Sequence, residues 1–363
     1  MRCRFRIVPG LPLALAMAIF ALLLLTHRDA VGPLQQGTTF AATYSWVDKD
    51  GVTNFSNKPP RPGQDPAAAS PKTLQKSGPA PQQAKPQSLD RPSVAGTGKI
   101  FMWKASSSEN YIFLLGSVHA AKKSFYPLDK RIEDAFSSTA ALAVEADAVG
   151  NQLEIQALTL REGLYPGNDT LDKNITQRTK DKLKQQGIDL APLNKFKPWF
   201  AAITIQMQRT QRMGLDPNLG IDVHFLKKAR AEKKEVRELE SAEFQLKLMA
   251  ELSEGKEDLF LYHTLLGLDG MEAKYNAIFD YWAQGDATRL ESLIMAELDS
   301  PDFKSLGDKL FFERNVKMAE KVEGYLKEKK PVFVIVGAGH LVGDKGMVKL
   351  LQAKGYTLEQ VGG

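Results

Sequence analysis

Short runs of β-branched and aromatic residues recur along the last two thirds of the chain, each bounded by turn-forming residues. Tyr111-Ile112-Phe113-Leu114-Leu115 and Val332-Phe333-Val334-Ile335-Val336 are apolar at consecutive positions, the pattern of strands buried on both faces. The same reading predicts strands over residues 99–103, 140–144, 236–239 and 356–361. Apolar residues recur at helical spacing over 195–213, 222–231, 242–252 and 312–329, and Gly214 and Gly355 suit left-handed helix stops. This alternation predicts an α/β domain over residues 97–363. Its sheet is expected to be mixed and mostly parallel, with flanking helices and a helical insertion across the middle.

A different pattern precedes that domain. From Ala42 to Ser56 apolar and polar residues alternate around Asp50-Gly51, which predicts a β-hairpin module over residues 42–60. A lone hairpin is marginal, so Tyr44, Trp46 and Phe55 are expected to pack on another element or to meet a partner. Residues 61–96 are dominated by Pro, Ala, Gln, Ser and Lys without apolar periodicity and predict a disordered linker. At the start, Arg2, Arg4 and Arg6 precede an apolar stretch over 11–25. Residues 1–41 therefore read as a signal peptide or a membrane anchor, and the protein as exported, either free in the periplasm or tethered to the membrane facing it.

Composition narrows the function. With 43% hydrophobic and 25% charged residues among 363, the chain can build a sizeable core. The net charge of +5 does not point to nucleic acid, because basic residues alternate with acidic ones, as across 227–238, and form no stripe with aromatics. Cys3 is the only cysteine and lies in the leader, which excludes disulfides and thiol catalysis from the remainder. His-Glu-x-x-His, Gly-x-Ser-x-Gly and phosphate-loop motifs are absent.

The candidate chemistry sits where the two apolar runs end. Gly116-Ser117-Val118-His119 and Gly337-Ala338-Gly339-His340 each follow a predicted strand. A glycine there permits a sharp exit from the sheet and sets the histidine at the carboxyl-end mouth where open α/β sheets assemble sites. Glu145 and Glu240 end two further strands, so four potential metal ligands or acid–base groups converge if the strands are parallel neighbours. Imidazoles with a carboxylate can hold a divalent ion that acidifies bound water, and a spare carboxylate can act as general base. Arg314, early in a helix, suits a developing oxyanion. Structural alternatives stand beside these: strand-end histidines satisfying backbone groups, Glu145 as an exposed acid beside Asp147, Glu240 as a helix-start charge, and Arg314 on a solvated face with Glu313. Asp222 reads first as a helix N-cap, and His27, His224 and His263 as structural or solvated.

The segments Leu115-Gly116-Ser117-Val118-His119, Phe125-Tyr126-Pro127-Leu128, Val144-Glu145-Ala146-Asp147, Lys197-Pro198-Trp199 and Gly220-Ile221-Asp222 occur in that order. They are followed by Leu239-Glu240-Ser241-Ala242-Glu243-Phe244-Gln245-Leu246, Glu313-Arg314-Asn315 and Val336-Gly337-Ala338-Gly339-His340-Leu341-Val342-Gly343. Together they resemble the TraB/GumN family, which includes Tiki-like metalloproteases, and residues 42–60 resemble the DUF4124 segment of exported bacterial proteins. The resemblance implies a fold similar to the erythromycin esterase and ChaN-like group. It also implies a divalent-metal hydrolase acting on a peptide or protein. His119, Glu145 and His340 would hold manganese, cobalt or zinc, Glu240 would handle protons and Arg314 would stabilise the oxyanion. Two other expectations use the same histidines: a non-catalytic envelope protein that binds haem or a peptide, and a metal-independent esterase.

Overall fold

The computed structural model describes residues 44–47, 53–56, 98–150, 152–253, 255–298 and 307–362. The expected leader over 1–41 and linker over 61–96 lie outside the described residues. Strands β1 (Tyr44–Val47) and β2 (Thr53–Ser56) pair antiparallel, Tyr44 opposite Ser56 and Val47 opposite Thr53, as the expected hairpin. They belong to a compact unit separate from the main domain.

The main domain is built on six strands: β3 (Met102–Ser106), β4 (Tyr111–Ser117), β5 (Ala141–Val144), β6 (Glu235–Glu238), β7 (Val332–Gly337) and β8 (Thr357–Gln360). Their order is β6-β5-β7-β4-β3-β8. Neighbours from β6 to β4 run parallel, and β3 runs antiparallel to both β4 and β8. The sheet is therefore mixed and mostly parallel. Every residue of β5 and β7 is buried, which is why those runs carry no alternating polar positions.

Helices flank the sheet. Helix α1 (Lys130–Ser137) connects β4 to β5, and α2 (Gln152–Gly163), α3 (Gln177–Gln185), α4 (Pro198–Arg212) and α5 (Ile221–Ala231) lie between β5 and β6. After β6 come α6 (Ala242–Ser253), α7 (Glu257–Gly267), α8 (Met271–Ala283) and α9 (Ala287–Leu298). A π-helical turn (Asp308–Phe312) then enters α10 (Glu313–Leu326), and α11 (Met347–Ala353) precedes β8. Gly214 and Gly355 hold φ of 78° and 92° behind α4 and α11, the left-handed stops their positions required. Trp282 on α8 ties the helical insertion to the sheet by donating its indole N–H to the Gly116 carbonyl at 2.7 Å. Among the described residues no helix is long and apolar enough to cross a membrane.

Three local features differ from expectation. The first strand of the domain is Met102–Ser106 and not 99–103. The Ser107 hydroxyl accepts the N–H groups of Glu109 and Asn110, closing a tight turn that lets Ala105 and Ser106 pair with Ile112 and Tyr111. The helix expected from residue 312 opens instead with the π turn, a wider coil that is frequent at functional sites. Gly116 lies inside β4 and its φ is not left-handed. It is glycine for want of space, since a Cβ would stand 2.5 Å from the Phe101 ring.

Candidate functional site

Parallel register brings the strand ends level. Ser117 at the end of β4 lies beside Gly337 at the end of β7, and Val144 of β5 lies beside both Ile335 and Glu238. Pairing continues one step further, because the Glu240 N–H donates to the Glu145 carbonyl at 2.7 Å. Residues that leave these strands must therefore share one edge, and His119, Glu145, Glu240 and His340 do.

His119 is steered by the start of α5. Gly220 packs so closely on the chain that a Cβ would stand 2.4 Å from the His119 carbonyl oxygen. This approach puts Asp222, in the first turn of α5, against the imidazole, with Nδ1 3.2 Å from Oδ2. The other carboxylate oxygen accepts the Ser117 hydroxyl at 3.1 Å. The N-cap of α5 is Gly220, so Asp222 does not cap the helix: its side chain is spent on His119 and Ser117. Burial works against a charge on His119, but the Asp222 carboxylate and its hydrogen bond, aided by Glu145, outweigh it and raise the imidazole above its ordinary range.

His340 is steered by α10. Its Nδ1 lies 2.6 Å from Asn315 Oδ1, and Asn315 Nδ2 donates to the Lys345 carbonyl at 2.9 Å. With the amide nitrogen committed, the amide oxygen must accept, so Nδ1 carries the proton and the Nε2 lone pair faces inward. Burial, then the Arg314 charge, hold His340 well below the ordinary imidazole range, which keeps it neutral. Phe311 from the π turn covers the ring at 5.1 Å between centroids.

The two glutamates and Arg314 form a buried charge cluster. Arg314 is 1% exposed, which rules out a solvated helix face. Its Nη2 donates to Glu145 Oε2 at 2.9 Å and to Glu240 Oε2 at 2.6 Å, its Nε donates to Glu240 Oε1 at 2.9 Å, and its Nη1 donates to the Leu310 carbonyl. Gln245 Nε2 donates to Glu240 Oε2 at 2.9 Å and to Glu145 Oε2 at 3.3 Å. Glu145 is buried and not the exposed acid that its strand-end position allows. Its Oε1 accepts the Gly337 N–H at 2.5 Å and stands 3.7 Å from His340 Nε2. Gly337 needs its missing side chain here, since a Cβ would lie 3.1 Å from His119 Nε2 and 3.3 Å from Glu145 Oε1.

All five residues expected from the sequence thus meet in one place, joined by Ser117, Gln245 and Asn315, which the sequence reading gave no role, by Asp222, read first as a helix cap, and by Gly337, expected only to turn the chain. Asp222, Gln245 and Asn315 each sit in a recognisable segment, Gly220-Ile221-Asp222, Leu239 to Leu246 and Glu313-Arg314-Asn315, and that was their available signal. His224 lies apart, 3.3 Å from Glu133 Oε1 and packed on Tyr126, and His263 is buried in α7. His27 is outside the described residues.

The residues can be tested against a divalent ion. His119 Nε2 and His340 Nε2 are buried without a hydrogen-bond partner, while each Nδ1 is held by an oxygen acceptor. Metal-binding histidines are oriented in this way. Among the described residues no group of three or more His, Cys, Asp or Glu side chains already stands at metal-binding spacing. Glu145 is engaged by Gly337 and Arg314, although Oε1 keeps a second lone pair. The donor chemistry fits a divalent ion held by the two imidazoles, with Glu145 as the carboxylate at hand.

Paired strand-end histidines at the mouth of a mixed α/β sheet, backed by a buried Arg–Glu–Glu cluster, define the class of domain. The chain belongs to the TraB/PrgY/gumN family, whose model matches residues 101–360. Residues 36–88 match the domain of unknown function DUF4124, a span that contains the β1–β2 hairpin. Two relatives, both named "Uncharacterized protein YbaP", come from Escherichia coli (strain K12) and Shigella flexneri. Each is 24% identical over 259 residues, covering 70% of this chain and 94% of the relative. No solved structure matches.

Proposed function

We propose that the main domain is a hydrolase, exported and acting on peptides, that works with a divalent ion at His119, His340 and Glu145. The observation that carries this reading is the pair of buried Nε2 atoms of His119 and His340, neither with a hydrogen-bond partner, with His119 Nε2 and the His340 ring bordering the space kept open by Gly337. A manganese, cobalt or zinc ion held there would supply Lewis acidity toward a carbonyl oxygen and toward water. Asp222 and Asn315 fix the two imidazoles so that no reorientation is needed when the site is used. Arg314 acts as counter-ion to Glu145 and Glu240, with its N–H groups directed at them and at Leu310, and so holds both carboxylates in place. Glu240 is the second carboxylate of the cluster and the candidate for moving a proton. Export is supported by Arg2, Arg4 and Arg6 ahead of the apolar stretch over 11–25.

A second reading, a metal-independent esterase, is favoured by one specific contact. An Asp222–His119 pair is the arrangement that lets an imidazole accept a proton from a nucleophile while a carboxylate steadies the resulting cation. Cleavage of a peptide library by the full chain, with and without a chelator, separates the two. Chelator-sensitive cleavage that His119→Ala abolishes supports the first reading. Chelator-insensitive ester hydrolysis replaces it with the second, and no turnover of either substrate class refutes both.

A further inference from the structure

Ser117 and His119 each line two chambers of different character. On one side they face Glu145, Asp222 and Gln245. On the other they join Gly337 and His340 in a chamber otherwise lined by Ile278, Leu290, Ile294, Phe311, Ala338 and Gly339. None of those six carries a polar side chain, and the five with side chains are all at most 6% exposed. Gly339 helps to keep the chamber open, because a Cβ there would stand 3.2 Å from the Phe311 ring and 3.3 Å from Ile294 Cδ1. Ile278 comes from α8, Leu290 and Ile294 from α9, and Phe311 from the π turn, so the helical insertion supplies most of the wall.

We infer that this chamber is a specificity subsite for the tip of a single aliphatic side chain, carried next to the bond that the imidazoles address. The physical reason is asymmetry at the reacting centre. A charged or hydrogen-bonding group placed in the chamber would lose its hydration and find no partner beyond the site residues, at a cost that excludes it. An apolar group would leave water and fill space that is already desolvated. The chamber is small, a cavity of about 30 Å³ that opens toward its mouth. An apolar cavity of ~150 Å³ takes up benzene, so this smaller one excludes a ring and admits the tip of an aliphatic group. The subsite rests on the hydrolase reading for the bond that is broken, but not for the group that is bound.

The test uses two amide probes on the full chain, acetamide and 4-methylpentanamide, with binding read by ligand-observed NMR. Each methylene transferred from water strengthens binding roughly fourfold at best, so the longer amide should bind at least about tenfold tighter. Ile294→Phe, which fills the chamber, should remove that difference. Ile294→Ala, which enlarges it, should shift preference toward 3-phenylpropanamide, and circular dichroism checks that both variants are folded. Equal binding of the two amides to the wild type, or undiminished discrimination in folded Ile294→Phe, overturns the subsite. Discrimination without any peptide or ester turnover keeps the subsite and defeats the hydrolase reading, whereas turnover without discrimination does the reverse.

Discussion

Arg314 offers the sharpest quantitative consequence of the structure. Its side chain is 2% exposed and serves two carboxylates whose side chains are 7% and 5% exposed. Replacing it by methionine keeps most of the aliphatic stem, so little cavity opens, but Glu145 and Glu240 lose their cation. They would be left sharing Gln245 Nε2, with the Gly337 N–H on Glu145 alone. Removing one partner of a buried ion pair costs about 3–5 kcal/mol, and here one cation neutralises two anions, which puts Arg314→Met at the upper end. With a urea dependence of about 3 kcal/mol per molar for a domain of this size, the midpoint of unfolding should fall by roughly 1.3–1.7 M. Adding Glu145→Gln and Glu240→Gln to that variant should recover more than half of the loss, because the cost lies in unpaired charge and not in packing. A midpoint shift below about 0.3 M for the single variant would refute the reasoning, as would a triple variant no more stable than the single one.

Other consequences follow from the same contacts. Gly337→Ala puts a methyl group 3.1 Å from His119 Nε2 and should weaken divalent-ion binding at least about tenfold while moving the melting temperature by only a few degrees, measured by calorimetric titration and thermal unfolding. Asp222→Asn removes the carboxylate that orients His119 and should reduce metal affinity or turnover by about 10- to 100-fold, with the far-ultraviolet spectrum unchanged. Glu323 is lowered to about 2 by its hydrogen bonds to Lys327 and Lys354. Its folded value is depressed, so its contribution is present above the ordinary carboxylate range and lost as pH falls through about 2. Thermal unfolding of Glu323→Gln against wild type should give a small gap, screened by solvent, that is full above pH ~5 and closes toward pH ~2. Trp282→Phe leaves the Gly116 carbonyl without its donor and should cost about 1–2 kcal/mol in the same unfolding assay.

Much of this centre is legible in the sequence because its members end elements that hydrophobic pattern alone defines. Two uninterrupted apolar runs predict β4 and β7, and a parallel register leaves His119 and His340 on one edge. Glu145 and Glu240 follow from the same logic on β5 and β6. What each side chain bonds to is not legible, since those contacts join residues far apart: Asp222 lies 103 positions from His119, and Arg314 lies 74 from Glu240. Asp222 looked like a helix cap because an acid after a glycine at a helix start ordinarily is one. Its recruitment by His119 depends on how α5 packs against β4. The glycines mislead in a similar way. The sequence suggests conformational freedom at Gly116 and Gly337, whereas both are needed for space, one beneath the Phe101 ring and the other in front of His119. The start of β3 was displaced because a hydroxyl-closed turn among serines reads as loop until its hydrogen bonds are known.

The central claim is that His119 and His340 form one divalent-ion centre, and calorimetric titration of the full chain with manganese tests it most directly, run beside His119→Ala and His340→Ala. The account predicts one ion bound by the wild type and none by either variant, with all three proteins folded. Manganese binding that survives in both folded variants, or a folded wild type that binds no manganese, cobalt or zinc, would contradict it.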